Sequence, residues 1–210
     1  MKKILSILLP ATLLSSIILI TFVEYYHGRF SPCGLGLVGI YAAWILFEMT
    51  VSFKDFSESH ASFDKLTREG YAVSQFLVIM SAIYFSDPSR NTLPLIIISY
   101  VVTLFGIFIR VYSVRYLGIY YSHKARLIKN QKVISTGPYS LIRHPAYLGM
   151  IIIHIGIVLA FYNYFTVFIF FFLFIPFLVT RIFIEERMLL RLKGYKEYSL
   201  SHKRLIPFVW

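Results

Sequence analysis

The sequence has few cysteines and few charged residues. Its 210 residues include one cysteine, Cys33, so an intramolecular disulfide and a zinc site built on several cysteines are both excluded. Charged residues make up 15% of the chain and only 10 residues are Asp or Glu, whereas a typical soluble domain has about 25% charged residues. This composition argues against an ordinary soluble globular protein.

Apolar residues are abundant instead. They make up 58% of the chain, the mean hydropathy is +0.70, and there are 20 Phe and 16 Tyr. Long runs without charge are typical of integral membrane proteins, and aromatic residues are frequent at the membrane interface. The net charge of +11 would suit nucleic acid or an anionic membrane. On this apolar background it favours membrane lipids and no nucleic acid.

The apolar runs predict about six transmembrane helices. A run at 147–180 has 34 residues without an Asp, Glu, Lys or Arg. One untilted span needs about 20 residues, so this run predicts a helical hairpin that turns near Asn163. The other runs cover residues 4–23, 34–53, 71–86 and 93–109. We therefore expect an all-α, polytopic integral membrane protein.

The basic residues predict how the spans are oriented. Segments 110–143 and 181–210 carry seven Lys or Arg each. An even number of spans places both segments and both termini on one side, which the positive-inside rule makes cytoplasmic. Lys2 and Lys3 before an apolar run also suit a signal peptide. However, the run is nearer 20 residues than the 7–15 of a signal core, so we expect a retained first span.

Two features of the first half have a structural and a functional interpretation. Gly34, Gly36 and Gly39 spell the G-x-G-x-x-G of dinucleotide-binding turns, but no strand precedes them and no acidic residue follows at the required distance. Small residues that permit close helix packing are the better interpretation. Glu48 is ionisable at membrane depth, so it is either a functional residue or one that snorkels to the surface.

The segment 137–147 predicts a site at the membrane surface. Gly137 and Pro138 favour a turn, and Pro145 fits the first turn of a helix. This makes 144–147 a helix N-terminus with free N–H groups, which can bind an anion. Arg143 and His144 stand beside it, as an anchor for lipid phosphates or as part of a ligand site.

Arg181 and Glu185 form a second candidate site. They are four residues apart, so they share one helix face. The pair either ends a membrane span as an ion pair or grips a zwitterion. In the second case Arg181 suits a carboxylate and Glu185 suits an ammonium group.

Together these motifs resemble the isoprenylcysteine carboxyl methyltransferase family of integral membrane methyltransferases. The related phospholipid methyltransferases share much of the pattern. The matching motifs are V-I-S-T-G-P-Y from Val133, R-H-P-A-Y-L-G from Arg143, R-x-x-x-E-E from Arg181 and G-Y-K-E-Y from Gly194. The resemblance implies S-adenosylmethionine as cofactor, bound without a Rossmann domain in a cytoplasmic cleft. We expect no metal, since His154 has no second His, Cys or carboxylate three or four residues away.

The resemblance also divides the chain and assigns residues. The resemblance covers about residues 110–210 and implies a catalytic region there, with the membrane hairpin 147–180 and a cytoplasmic C-terminal helix. The apolar runs predict four N-terminal transmembrane helices in 1–109. Arg181 would be the catalytic residue that orients a substrate carboxylate. The implied cofactor-binding residues are Val133, Ile134, Tyr139, His144, Pro145, Ala146, Tyr147 and Glu185. Gln131 and Arg126 depart from the family pattern, so their contact with the cofactor stays open.

The chemistry favours a carboxylate as methyl acceptor. A carboxylate is ionised near neutral pH and needs no general base, whereas an amine arrives protonated and has only His144, Glu48 or tyrosines to accept its proton. We expect carboxyl methylation of a lipophilic, prenylcysteine-type substrate that enters from the bilayer. The membrane would be the endoplasmic reticulum in a eukaryote and the cytoplasmic membrane in a prokaryote. Alternatives are a phospholipid or lipid amine N-methyltransferase, an NADPH-dependent enzyme similar to sterol reductases, and a non-enzymatic membrane subunit.

Overall fold

The described part of the chain is helical. The computed structural model describes residues 2–56, 67–90, 92–123, 125–128, 130–207 and 210, and for 2–11, 51–56 and 90 the backbone alone. The helices are α1 Lys2–Tyr26, α2 Pro32–Phe56, α3 Thr67–Tyr84, α4 Leu93–Leu117, α5 Pro145–Ala160, α6 Tyr164–Ile169, α7 Ile175–Leu189 and α8 Tyr195–Ser201. Within these residues the β-pairing is a single parallel bridge between Ile142 and Lys203. The all-α prediction is confirmed.

Three helices in the part of the chain that the structure describes are long and apolar enough to cross a membrane. They cover Pro32–Thr50, Leu93–Tyr120 and Tyr164–Leu189. The apolar helices Thr12–Tyr26 and Pro145–Ala160 are shorter among the described residues. Phe and Ile side chains on the outer faces are exposed, as lipid contact requires, for example Phe105, Phe172 and Ile97. The structure thus supports a membrane protein, while the six spans stay a prediction.

The third of these helices is continuous through a proline. Asn163 opens α6 by accepting a hydrogen bond from the backbone N–H of Thr166 at 2.8 Å. A π-helical segment, Phe170–Phe174, then joins α6 to α7. Pro176 follows at once; its missing N–H and its ring would disturb a regular α-helix. Helices commonly accommodate such a residue through a local π-bulge.

Glycines bring α4 and α5 into close contact. A Cβ atom on Gly106 would lie 2.6 Å from the backbone nitrogen of Ile153, and one on Gly149 would lie 2.8 Å from the backbone nitrogen of Arg110. Close approach of backbones through small residues is typical of helix pairs in membranes. On α2, a Cβ on Gly36 would meet the hydroxyl of Tyr100, which supports the packing interpretation of that glycine.

Helix α3 contacts helices from both parts of the chain. It packs against α1 on one side and against α5, α6 and α7 on the other. The hydrophobic core that these helices share includes Ile17, Val78, Ile153, Phe174 and Leu178. Helix α5 and the helix Tyr164–Leu189 therefore both pack against α3.

Candidate functional site

A cavity of about 360 Å³ lies between the N-terminal helices and the segment that follows α4. Its volume falls in the range of about 300–1,000 Å³ that is usual for ligand pockets. Helices α1, α2 and α3 contribute mainly apolar side chains to its wall. The apolar contributors include Leu13, Leu14, Ile17, Tyr41, Trp44, Ile45, Phe76 and Ile79. Charged and hydroxyl groups come mostly from the later part of the chain.

The structure brings nearly all the predicted site residues to this cavity. Arg181 lines it together with Val133, Ile134, Tyr139, His144, Ala146, Tyr147 and Glu185. Pro145 does not line it, but it begins α5 beside His144. Arg126 and Gln131, whose roles the sequence left open, also lie in the wall. Residues that are distant in sequence, such as Val133 and Arg181, therefore lie in the wall of the same cavity.

The turn before α5 forms as predicted, but its amide groups are used differently. Gly137 takes a φ of +59° and opens a 3₁₀ turn, and α5 starts at Pro145. The N–H of His144 donates to the carbonyl of Arg204 at 3.0 Å, and the N–H of Tyr147 donates to the carbonyl of His144 at 3.1 Å. The prediction of free N–H groups across 144–147 is thus wrong for these two residues. The C-terminal segment folds back onto the turn and accepts from His144, whereas Tyr147 donates within the turn itself.

Glu186 contacts two arginines and a histidine at the end of α7. Its Oε1 lies 2.8 Å from Nη1 of Arg143 and 3.3 Å from Nε2 of His144, and its Oε2 lies 2.8 Å from Nε of Arg204. The carboxylate is 6% exposed. Buried charge of this kind needs partners, and here the partners come from the turn before α5 and from the C-terminal segment. The sequence analysis did not assign Glu186, although R-x-x-x-E-E contains it.

Glu185 and Arg181 turn their side chains to different partners. Glu185 accepts a hydrogen bond from the hydroxyl of Tyr147 at 2.7 Å. Arg181 is 4% exposed and donates to the backbone carbonyl of His123. In the described structure no ion pair joins Arg181 to Glu185, so the two charges are held apart on the same helix face. This favours the ligand-binding interpretation of the pair over an ion pair that ends a span.

Two buried tyrosines of the cavity wall, Tyr139 and Tyr198, are held by hydrogen bonds to backbone carbonyls. The hydroxyl of Tyr139 donates to the carbonyl of Ser113 at 3.3 Å, and the hydroxyl of Tyr198 donates to the carbonyl of Tyr139 at 2.7 Å. Burial raises the pKa of Tyr139 and raises the pKa of Tyr198 to about 12. Both hydroxyls therefore keep their protons near neutral pH and act as hydrogen-bond donors.

Glu48 lies in the cavity wall with a partner that the sequence did not indicate. Its Oε1 and Oε2 accept from Nε and Nη2 of Arg110 at 2.9 and 3.0 Å. Arg110 also donates to the hydroxyl of Tyr121, and Nε2 of His123 lies 3.5 Å from Oε2 of Glu48. The snorkelling interpretation of Glu48 is wrong, since its side chain is 14% exposed and is bound inside the protein.

Several polar atoms of the wall lack a protein partner. Among the described residues, the hydroxyls of Tyr71 and Tyr195 and the Nε atom of Arg143 are buried without a hydrogen bond, and all three residues line the cavity. No described residue bonds to the backbone of Val133 or Ile134, which run through the wall without regular structure. An unsatisfied buried polar group costs about 1–3 kcal/mol. Their concentration here indicates a site that a polar ligand completes.

The comparison with known families agrees with these motifs. Residues 96–191 match the Isoprenylcysteine carboxyl methyltransferase (ICMT) family. This confirms the resemblance that the sequence predicted. No curated protein matches the chain. The match begins in α4 and ends after α7, so it contains the predicted site residues but not Glu48 or the three N-terminal helices that close the cavity.

Proposed function

We propose that this protein is a membrane methyltransferase of the isoprenylcysteine type and uses S-adenosylmethionine to methylate the carboxylate of a lipophilic, prenylcysteine-type substrate. The observation that carries the proposal is the meeting of Arg181, Glu185, Tyr147, Val133 and Ile134 at one cavity. A guanidinium group for a carboxylate and a separate carboxylate for a cationic cofactor are the two charges that this reaction requires. The family match favours it over a sterol reductase or a non-enzymatic subunit.

The residues of the wall suit the cofactor. Glu185 would bind the cationic and hydroxyl groups of the cofactor. The backbone groups of Val133 and Ile134 would bind the edge of its heterocyclic ring. The unpaired atoms of Tyr195 and Arg143 would donate to acceptors on the same ligand. Tyr139, His144, Pro145, Ala146 and Tyr147 complete the proposed cofactor set. When bound, S-adenosylmethionine supplies an electrophilic methyl group on a sulfonium.

The residues of this chain mainly align and hold the acceptor. Arg181 keeps its charge at all relevant pH values and can bind a carboxylate through its planar fork. A carboxylate oxygen then forms the new O–C bond as the C–S bond breaks, and no proton has to be removed. Holding both reactants in line supplies much of the rate enhancement.

The contacts of the possible bases support a carboxylate rather than an amine. The carboxylate of Glu48 is engaged by Arg110 through two hydrogen bonds, and Nε2 of His144 faces Glu186. The hydroxyls of Tyr139 and Tyr147 donate to Ser113 and Glu185. Glu48, His144 and these two tyrosines are thus each engaged by a partner or already protonated. This supports carboxyl methylation over amine methylation.

The apolar wall supports a lipophilic acceptor. Leu13, Ile17, Ile45 and Ile79 lie in the same cavity as Arg181, so an alkyl or prenyl tail would lie against them while its carboxylate meets the guanidinium. We infer that the tail enters from the bilayer and the cofactor from the cytoplasm. The proposal also includes the topology: six spans, a membrane hairpin at 147–180 and both termini in the cytoplasm. Residues 1–109 would form the N-terminal transmembrane helices and residues 110–210 the catalytic region. The membrane would be the endoplasmic reticulum or a prokaryotic cytoplasmic membrane.

The test compares acceptors with labelled cofactor. Purified protein receives S-adenosylmethionine with a deuterated methyl group and either a prenylcysteine analogue or phosphatidylethanolamine. We expect mass spectrometry to find the label on the prenylcysteine analogue in a form that alkali removes, as it does from an ester. Label on phosphatidylethanolamine alone, stable to alkali, would overturn the carboxylate acceptor and establish the lipid amine N-methyltransferase.

A further inference from the structure

Four side chains form a closed ring of contacts beside Arg181. Glu48 on α2 accepts two hydrogen bonds from Arg110 on α4, at 2.9 and 3.0 Å. Arg110 donates in addition to the hydroxyl of Tyr121. That hydroxyl lies 3.3 Å from Nδ1 of His123, and Nε2 of His123 lies 3.5 Å from Glu48. All four residues line the cavity.

This ring joins parts of the chain that are distant in sequence. Glu48 and Arg110 are 62 positions apart, and the family match at 96–191 includes Arg110 but not Glu48. The side chains of Glu48 and Arg110 are 14% and 5% exposed. Charges so buried are costly unless their hydrogen bonds are satisfied. The two hydrogen bonds from Arg110 satisfy both oxygens of Glu48, and such a pair can fix local geometry.

The ring acts on Arg181 through the backbone. The carbonyl of His123 accepts a hydrogen bond from the Arg181 guanidinium. The side chain of the same residue is held between Tyr121 and Glu48, so the direction of its carbonyl depends on the ring. Residues 121–123 lie outside any α-helix, beyond the 3₁₀ turn Gly118–Tyr120, and therefore gain little from regular backbone hydrogen bonds.

We propose that Glu48, acting through the ring with Arg110, Tyr121 and His123, is a positioning residue that sets the guanidinium of Arg181. The proposal rests on the proposed function, in which Arg181 binds the acceptor carboxylate. Glu48 also keeps Arg110 from binding the acceptor, because its two oxygens accept hydrogen bonds from the Arg110 guanidinium. Without Glu48 the cavity would present a second guanidinium that could hold the carboxylate away from the methyl donor.

The main test is Glu48→Gln, which keeps the shape of the side chain and removes its charge. We expect kcat for the acceptor to fall at least tenfold, because Arg181 is no longer held in position and Arg110 can compete with it for the carboxylate. The affinity for S-adenosylhomocysteine should stay within twofold. The matched control is Glu24→Gln. Glu24 is also a buried carboxylate, 2% exposed and 2.8 Å from Arg29, but it does not line the cavity. This control should lower thermal stability and leave kcat unchanged.

A second measurement needs no activity. Hydrogen–deuterium exchange of the peptide that carries residues 118–123 should become at least tenfold faster in Glu48→Gln and not in Glu24→Gln. Unchanged exchange there would overturn the ring as a positioning device. A third result is that exchange becomes faster in Glu48→Gln while the wild-type protein methylates no carboxylate. That result would support the ring as a positioning device and overturn the proposed function.

A milder variant covers the case in which Glu48→Gln does not fold. Tyr121→Phe removes one hydroxyl of the ring and leaves no buried charge unpaired. We expect kcat to fall about three- to tenfold with S-adenosylhomocysteine affinity unchanged, and faster exchange at 118–123. Wild-type values for both measurements in Tyr121→Phe would contradict the proposal.

Discussion

The hydroxyl of Tyr147 donates to Oε2 of Glu185 across 2.7 Å and so joins the first turn of α5 to α7. The two residues are 38 positions apart in sequence, and both line the cavity. The hydrogen bond fixes one oxygen of the carboxylate and directs the side chain of Glu185 toward the start of α5. In the proposed function this carboxylate binds the cofactor.

Glu185→Ala is expected to lose cofactor affinity. A hydrogen bond to a charged group contributes about 1.5–3 kcal/mol, so S-adenosylhomocysteine should bind at least tenfold more weakly by calorimetry. Tyr147→Phe, which leaves the carboxylate in place but less well oriented, should have a smaller effect in the same direction. Unchanged affinity in Glu185→Ala would remove this residue from the cofactor site.

Arg181→Ala should separate turnover from cofactor binding. Loss of the guanidinium leaves the carboxylate acceptor misaligned, and such misplacement can cost roughly a hundredfold in rate. We expect kcat to fall by that order while S-adenosylhomocysteine affinity stays near the wild-type value. Arg187→Ala is the control, since Arg187 is an exposed arginine of the same helix. Equal loss of activity in both variants would count against a specific role of Arg181.

The sequence was sufficient to single out C-terminal residues that line the cavity, because their signals are local. Pro145 marks a helix start, and the four-residue spacing of Arg181 and Glu185 places both on one helix face. Each of these features depends on neighbours within one turn of helix. The family resemblance then assigned them a common ligand, and the structure brings them to the same cavity.

Partners from distant parts of the chain were not predictable in this way. Glu48 stood out as an ionisable residue at membrane depth, but nothing in the sequence selects Arg110 as its partner. The same holds for Arg204, which reaches Glu186 only because the C-terminal segment folds back along the turn before α5. Such pairs depend on how the helices pack, and a single sequence does not show that packing.

Glu186→Gln should destabilise the fold. The variant leaves Arg143, His144 and Arg204 without their shared anion, and breaking a buried ion pair by removal of one partner costs about 3–5 kcal/mol. Arg204 is partly exposed, which places the expected loss near the lower end of that range. Thermal unfolding in detergent measures it. Glu197→Gln, on the exposed side of α8, should leave the unfolding temperature within the error of the measurement.

Gly149→Ala should disturb both packing and catalysis. The added Cβ would lie 2.8 Å from the backbone nitrogen of Arg110 and 2.8 Å from the carbonyl oxygen of Gly106. Backbone atoms cannot move aside as a flexible side chain can, so α4 and α5 must separate. Overpacking of this kind costs about 1–3 kcal/mol. Because Arg110 moves with α4, its hydrogen bonds to Glu48 should weaken and kcat should fall together with the unfolding temperature.

Gly39→Ala is the matched control for Gly149→Ala. A Cβ at Gly39 would meet no atom within 4 Å, and in the interior of a helix alanine is favoured over glycine by about 0.5–1 kcal/mol. We expect this variant to unfold at the same or a slightly higher temperature and to keep wild-type kcat. If Gly39→Ala lost activity, Gly39 would have a role that its open surroundings do not provide. If Gly149→Ala behaved like Gly39→Ala, the close α4–α5 contact would not be needed for the geometry of the site.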